Sequence, residues 1–197
     1  MNSALALSPV NRYMAHSRFL PARTITTAGA DAAAAATFKG GPAMAEYLTR
    51  DTVETVALGT AIPFIDSIPC NKGYVYHQSG TGIFVLRGVV NNPSSCFARY
   101  NVVFTGNISI PEEGEVTPIA TAIVVSGEQR TGSRSIYTPA DVDEYGNVTS
   151  RATIDVPRGC CFTVSVEYVS GTVDDPTVTP TPLINVIDGS LSITRTA

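Results

Sequence analysis

Short segments of alternating apolar and polar residues, separated by Gly, Pro, Asn and Asp, run from Ala61 to Ala197. Because successive side chains of a strand point to opposite faces, this alternation is typical of half-buried β-strands. Residues 1–58 differ, since they mix short apolar pieces, an alanine run and scattered arginines without a sustained period. The change predicts two parts, an N-terminal arm over residues 1–60 and a β domain over residues 61–197.

The β part divides into about eight to ten segments, and no helical period lies between them. Val148–Val156 shows the pattern clearly, with Ile154 and Val156 on one face and Thr153 and Asp155 on the other. Many short strands at this spacing are typical of two packed sheets. We therefore predict an all-β fold, an antiparallel jelly-roll sandwich preceded by an extended, partly helical N-terminal arm.

Two segments of the β part depart from the alternation. Ile83–Val90 and Ile119–Val125 are apolar on both faces, so their outer faces need cover. A loop of the same chain would supply that cover, and so would a neighbouring copy. Charged residues make up 15% of the chain, whereas about 25% is usual, which favours a close-packed homo-oligomer. We predict a subunit interface that contains Phe84, Leu86, Ala122 and Val124, the interface of the trimer that a resemblance described below implies.

The N-terminal arm carries signals for extended chain and for two short helices. Pro9 and Pro21 interrupt any helix in residues 1–27. Ala28–Phe38 and Ala43–Thr49 favour helix, but neither is long enough to be stable alone in water. The arm therefore needs a partner that orders it. The apolar anchors and cationic contacts predicted for this binding are Arg12, Tyr13, Met14, Arg18, Phe19, Leu20, Arg23 and Phe38.

Candidate catalytic residues are few. His16 belongs to the arm, and His77 lies on a short predicted strand. No nucleophile elbow or similar motif accompanies His77, so we expect this side chain to have an ordinary packing role. The sequence therefore predicts that the protein is not an enzyme.

Metal-binding patterns are incomplete. The segment 141–147 opens like a calcium loop, but Tyr145 occupies the third ligand position, so we expect a solvated loop. The four cysteines lack the paired spacing of a zinc site, and we expect them to be small, buried and reduced. A Cys70–Cys96 disulfide is the alternative for two of them. No metal and no cofactor is predicted; the cysteines are Cys70, Cys96, Cys160 and Cys161.

Charge and hydropathy exclude two classes of partner. The net charge is −4, and eleven arginines and two lysines form no basic stripe, so no nucleic acid is expected. No segment reaches the ~18 apolar residues that cross a membrane. The first ten residues also lack the basic region of a secretory signal, which predicts that the protein is made and kept in a cytosol unless lysis releases it.

Several motifs of the β part carry a family resemblance. They are Cys70–His77 (CNKGYVYH), Gly106–Pro111 (GNISIP), Thr138–Tyr145 (TPADVDEY) and Val156–Val166 (VPRGCCFTVSV). Together they resemble a C-terminal β domain found in structural proteins of tailed phages and prophages of gut Firmicutes. That domain is similar to the trimeric jelly rolls of the tumour-necrosis-factor and complement-head type. The resemblance covers residues 62–197 but not the arm, and it implies a trimeric protein displayed on a virion.

The arm and the resemblance together predict a capsid decoration or head-fibre protein located in the virion. In this hypothesis the arm binds the major capsid protein or another virion protein, and a homotrimeric β domain faces outward. The alternative is a tail-fibre or receptor-binding tip that recognises a host-surface glycan or protein. Its binding site would lie in the loops at Asn91–Ser95 or Val173–Pro182. The chain has no repetitive shaft, which disfavours this alternative.

Overall fold

The computed structural model describes residues 43–68, 73–90, 94–170 and 183–196. Within these residues the chain forms strands and no helix, and the strands pair in two antiparallel sheets, which confirms the predicted all-β sandwich. The strands of the described part are β1 (Ala43–Leu48), β2 (Glu54–Ala57), β3 (Asp66–Ile68), β4 (Val75–His77), β5 (Ile83–Arg87), β6 (Phe97–Ser109), β7 (Ile119–Val125), β8 (Glu128–Gln129), β9 (Ser135–Tyr137), β10 (Gly146–Pro157), β11 (Cys161–Ser170) and β12 (Leu183–Arg195).

The two sheets, here called front and back, differ in strand length. The front sheet has the order β10-β6-β12-β1-β3, and β2 pairs with β12 beyond the end of β1. Its three adjacent strands β10, β6 and β12 are 12, 13 and 13 residues long. The back sheet has the order β4-β5-β11-β7-β8, and β9 also pairs with β7. The front sheet therefore offers the longer continuous surface.

Side chains that point between the sheets form one hydrophobic core. The Phe64 ring lies 5.5 Å from that of Phe84 in the back sheet and 6.2 Å from that of Phe104 in the front sheet. Both contacts are edge-to-face, an arrangement that adds to the gain from burial. The hydroxyl of the fully buried Tyr100 donates a hydrogen bond to the Arg87 carbonyl at 2.5 Å. Burial raises the pKa of Tyr100, so the phenol stays neutral.

Residues before position 61 belong to the sandwich, which differs from the predicted domain boundary. β1 lies between β12 and β3, and β2 pairs with β12. The helix predicted for Ala43–Thr49 is wrong, because pairing on both sides outweighs the propensity of one short segment. The unit that contains the described residues begins at Lys39. The extended stretch 1–27 and the helix predicted for Ala28–Phe38 lie outside the described residues.

A bulge in β12 holds the end of β1 in place. The pairing of β12 with β6 shifts between Ile187 and Ser190, and Asp188 has a φ of 53°. The Gly189 amide donates to Thr49 Oγ1 at 2.9 Å, and the Thr49 amide donates to the Gly189 carbonyl at 2.9 Å. A Cβ on Gly189 would lie 2.6 Å from Thr49 Cγ2, so this close approach requires glycine.

Two truncations test where the β domain begins. A chain that starts at Lys39 retains β1 and β2, and we expect it to unfold cooperatively like the full chain. A chain that starts at Ala61 lacks both strands and loses the buried side chains of Ala45, Tyr47 and Val56. We expect it to aggregate or to lack cooperative unfolding in thermal denaturation followed by circular dichroism. Equal melting temperatures for the two truncations would contradict this boundary.

Replacement of Thr49 tests the contact at the bulge. Thr49→Val removes the acceptor of the Gly189 amide and leaves that donor buried without a partner, which costs about 1–3 kcal/mol. Thr55→Val is the control, because the Thr55 hydroxyl bonds Asn185 at an exposed position. Urea denaturation should show a lower free energy of unfolding for the first variant and nearly the wild-type value for the second. Equal values for both variants would show that the bulge contact contributes nothing.

Candidate assembly surface

The outward side of the front sheet is a broad surface, which we call the front face. Four adjacent strands, β10, β6, β12 and β1, supply its side chains, which alternate with buried ones. Opposite residues form rows across it, and one row runs from Arg151 through Val103 and Ser192 to Glu46. The front face comprises Met44, Glu46, Asn101, Val103, Thr105, Thr149, Arg151, Thr153, Ser190, Ser192 and Thr194.

Small neutral groups dominate the front face. Thr153 Oγ1 donates to Asn101 Oδ1 at 3.1 Å, a bond between neighbouring strands within the surface. Val103 and Met44 add exposed apolar area, with 37% and 56% of their surfaces accessible. Two of its eleven residues, Glu46 and Arg151, are charged. The front face is therefore mostly neutral, with hydroxyl and amide groups beside exposed apolar side chains.

An ion pair lies where the front face ends. Arg99 Nε donates to Asp155 Oδ1 at 2.7 Å, and the second guanidinium nitrogen donates to Oδ2 at 2.9 Å. This hydrogen bonding lowers the pKa of Asp155, with the charge of Arg99 acting in the same direction. The carboxylate therefore stabilises the fold above its ordinary pKa, and this contribution disappears as the pH falls through the lowered value. Both side chains are about half exposed, so the pair contributes little to stability.

The residues predicted for the trimer interface are buried within one chain. Phe84 and Leu86 are 0% exposed and belong to the core between the sheets. Their assignment to subunit contacts is wrong, because a side chain without accessible surface cannot touch a second chain. Ala122 and Val124 lie on the opposite side of β7 from the core, yet they are only 0% and 5% exposed.

A side-chain hydrogen bond joins the segments on either side of β7. A guanidinium nitrogen of Arg134 donates to the carbonyl of Ser170, at the end of β11. Arg134 precedes β9, and β9 and β11 lie on opposite sides of β7, so this hydrogen bond connects the two sides of that strand. Ala122 and Val124 are therefore buried within the chain itself.

His77 has a packing role in the structure, as its sequence context predicted. Its ring stacks on Phe84 at 4.3 Å between centroids and meets the edge of Tyr47 at 4.9 Å. The Nε2 atom lies 2.9 Å from the Thr81 carbonyl, so this nitrogen carries the proton that it donates. His77 therefore stabilises the region where β4 and β5 meet the front sheet.

The segment that resembles a calcium loop uses its carboxylates internally. Glu144 Oε2 accepts the amides of Ala140 at 2.6 Å and Asp141 at 3.2 Å, and Asp141 Oδ1 accepts the Val142 amide at 2.8 Å. In the described residues no three His, Cys, Asp or Glu side chains are grouped so that they could hold a metal ion. The acids of this loop therefore stabilise its own backbone.

The cysteine thiols are more accessible than predicted. Cys96, Cys160 and Cys161 are free and exposed, so the expectation that they are buried is wrong. The Arg158 amide donates to the Cys96 carbonyl at 2.9 Å, which connects the start of β6 with the turn between β10 and β11. All three therefore lie at one end of the sandwich. Cys70 and the alternative Cys70–Cys96 disulfide lie outside the described residues.

Most of the two loops predicted to bind a host-surface ligand lies outside the described residues. These are residues 91–93 of the first loop and the whole of the second loop, Val173–Pro182. In the described residues, no helix is long and apolar enough to span a membrane. The arm contacts Arg12, Tyr13, Met14, Arg18, Phe19, Leu20, Arg23 and Phe38 also lie outside the described residues.

Comparisons with solved structures identify the fold. The chain is similar to the globular domain of zebrafish complement 1qA protein, with 11% identity and a TM-score of 0.52, over 78% of this chain and 96% of that one. It is also similar to Eiger TNF from S. frugiperda, with 8% identity and a TM-score of 0.54, over 79% and 93% of the two chains. Searches with family models and against curated sequences gave no match. At these identities the similarity establishes the fold alone, a jelly roll like those of tumour necrosis factor and the C1q head.

Proposed function

We propose that this chain is a structural protein of a phage virion, a capsid decoration or head-fibre protein with an outward homotrimeric β domain. The observation that carries the proposal is the jelly roll of the tumour-necrosis-factor and C1q type, with its broad front face of mainly hydroxyl and amide groups. The motifs between Cys70 and Val166 support the phage assignment through their resemblance. In the described residues His77, the only histidine there, contacts aromatic rings and a carbonyl, which supports a binding role over catalysis.

The front face is large enough to form part of a subunit interface. Its residues 101–105 and 149–153 extend about 17 Å along their strands, and the four strands side by side are roughly 15–20 Å wide. The face therefore offers on the order of 300 Å² per copy, a part of the roughly 800 Å² that each partner buries in a standard interface. A closed ring of three copies uses two different surfaces of each chain, and the front face is one of them.

The arm supplies attachment to the capsid in this proposal. Arg12, Arg18 and Arg23 complement an acidic protein surface, while Tyr13 and Phe19 add apolar area. A segment that orders only on binding loses conformational entropy, which weakens each contact. Three arms on one trimer raise the effective affinity, provided that the geometry allows all three to bind.

A charge placed in the front face tests self-association. Asn101→Lys introduces an ammonium group between Thr153 and Thr194, where no carboxylate is opposite. An unpaired charge buried in an interface costs several kcal/mol, so we expect the wild type to sediment as a trimer and the variant as a monomer.

The matched control for this variant is Thr163→Lys, at an exposed position of β11 in the back sheet. It adds the same charge away from the front face and should leave the trimer intact. Sedimentation equilibrium distinguishes the three proteins by mass, and thermal denaturation verifies that each is folded. A monomeric wild type, or a trimeric Asn101→Lys variant, would contradict the role of the front face.

Removal of residues 1–38 tests the arm. The shortened protein should keep its oligomeric mass but no longer co-sediment with purified capsids, whereas the full chain should bind them. Binding by the shortened protein would remove the arm from the proposal. Immunogold labelling of intact virions gives the location, and label on tails rather than heads would favour a receptor-binding tip.

A further inference from the structure

A crevice of about 700 Å³ opens between the two sheets at one edge of the sandwich. Its walls come from β10, which ends the front sheet, and from the hairpin that joins β7 to β8 at the end of the back sheet. Arg130 and Arg151 line it from the two sides, and Phe162 of β11 contributes an aromatic ring. The crevice therefore combines cationic and aromatic groups in a volume suited to a small ligand.

The backbone around Arg130 is held firmly. The Arg130 amide donates to the Ile123 carbonyl at 2.9 Å, and its own carbonyl accepts the Ser133 amide at 2.9 Å and the Ser133 hydroxyl at 2.7 Å. Ser133 is buried, and its Oγ also accepts the Ile123 amide at 2.9 Å. The adjoining hairpin turn has φ values of 52° at Ser126 and 84° at Gly127, the conformation of a tight two-residue turn. These hydrogen bonds fix the backbone of Arg130 before a ligand binds, which reduces the conformational entropy lost on binding.

Arg130 and Arg151 take no part in the ion pairs of the described residues, which are Arg50–Glu54 and Arg99–Asp155. Arg151 lies in the middle of the long strand β10, opposite Val103, so its backbone position is fixed as well. Glu128 also lines the crevice, which leaves a net charge of +1 from two arginines and one carboxylate. The crevice is therefore positively charged, although the whole chain has a net charge of −4.

The third group of the crevice is apolar. Phe162 is half-buried, packs against the core and also lines the crevice. A guanidinium group binds carboxylate or phosphate oxygens through two parallel hydrogen bonds. We propose that this crevice binds a sugar-sized ligand that carries an oxyanion, with Arg130 and Arg151 on the carboxylate or phosphate and Phe162 against the ring. The inference does not depend on the proposed virion role.

Amide NMR titration of the full chain tests the site with four probes: glucuronate, glucose 6-phosphate, glucose and inorganic phosphate. We expect glucuronate, glucose 6-phosphate or both to shift resonances of residues 126–133 and 151–153. Glucose should bind at least tenfold more weakly because it lacks the charge, and inorganic phosphate should bind more weakly than the better sugar anion because it lacks the ring. Tighter binding of glucuronate would indicate that the site prefers a carboxylate, and tighter binding of glucose 6-phosphate would indicate that it prefers a phosphate. Added salt should weaken binding.

Three variants verify the assignment. Arg130→Gln and Arg151→Gln each remove a charge-assisted hydrogen bond, so we expect the affinity for the better probe to fall about tenfold or more. Arg158→Gln is the control, since Arg158 is exposed in the turn after β10 and does not line the crevice. Unchanged melting temperatures verify that the variants are folded. Absence of binding by both sugar anions, equal binding of glucose, or an equal loss in Arg158→Gln would overturn the proposal.

Discussion

β12 holds the front sheet together, since it pairs with β6 on one side and with β1 and β2 on the other. β1 and β12 come from opposite ends of the described residues, so the sheet closes only when distant segments meet. Contacts of such high sequence separation cost loop-closure entropy and form slowly. Once formed, they decide which side chains of β6 and β12 enter the core. A slip of one residue would exchange the buried set with the front face.

The back sheet shows that a strand can be apolar on both faces without contacting another subunit. The core side of β7 packs between the sheets, and the residues on its other side, Ala120, Ala122 and Val124, are also buried within the chain. A hydrogen bond from Arg134 to the Ser170 carbonyl connects the segments on either side of this strand. The outer surface of β5 differs, because Ile83 remains about half exposed. Two segments that are both apolar on two faces therefore differ in the structure, because β7 is buried on both sides and the outer side of β5 is partly exposed.

Charge is distributed unevenly over the described surface. The front face carries mainly hydroxyl and amide groups, with an ion pair at one end, whereas the crevice beside it contains two arginines outside any ion pair there. Arg151 belongs to both regions, since it begins a row of the front face and lines the crevice. A ligand bound at that edge would therefore lie beside the surface proposed for self-association. Assembly and ligand binding therefore both involve Arg151, so a test of one proposal bears on the other.

The sequence by itself determined the fold class, because alternation with a period of two residues is a local property that any half-buried strand must have. It also indicated the packing role of His77, since no nucleophile motif accompanies that residue. Only the tertiary structure decided that Ala43–Leu48 is a strand, because its two partners come from distant parts of the chain. Tertiary structure likewise placed Phe84 and Leu86 in the core and brought Arg130 to the same crevice as Arg151. Periodicity shows that a side chain has a buried face, but what buries it depends on contacts that no local pattern encodes.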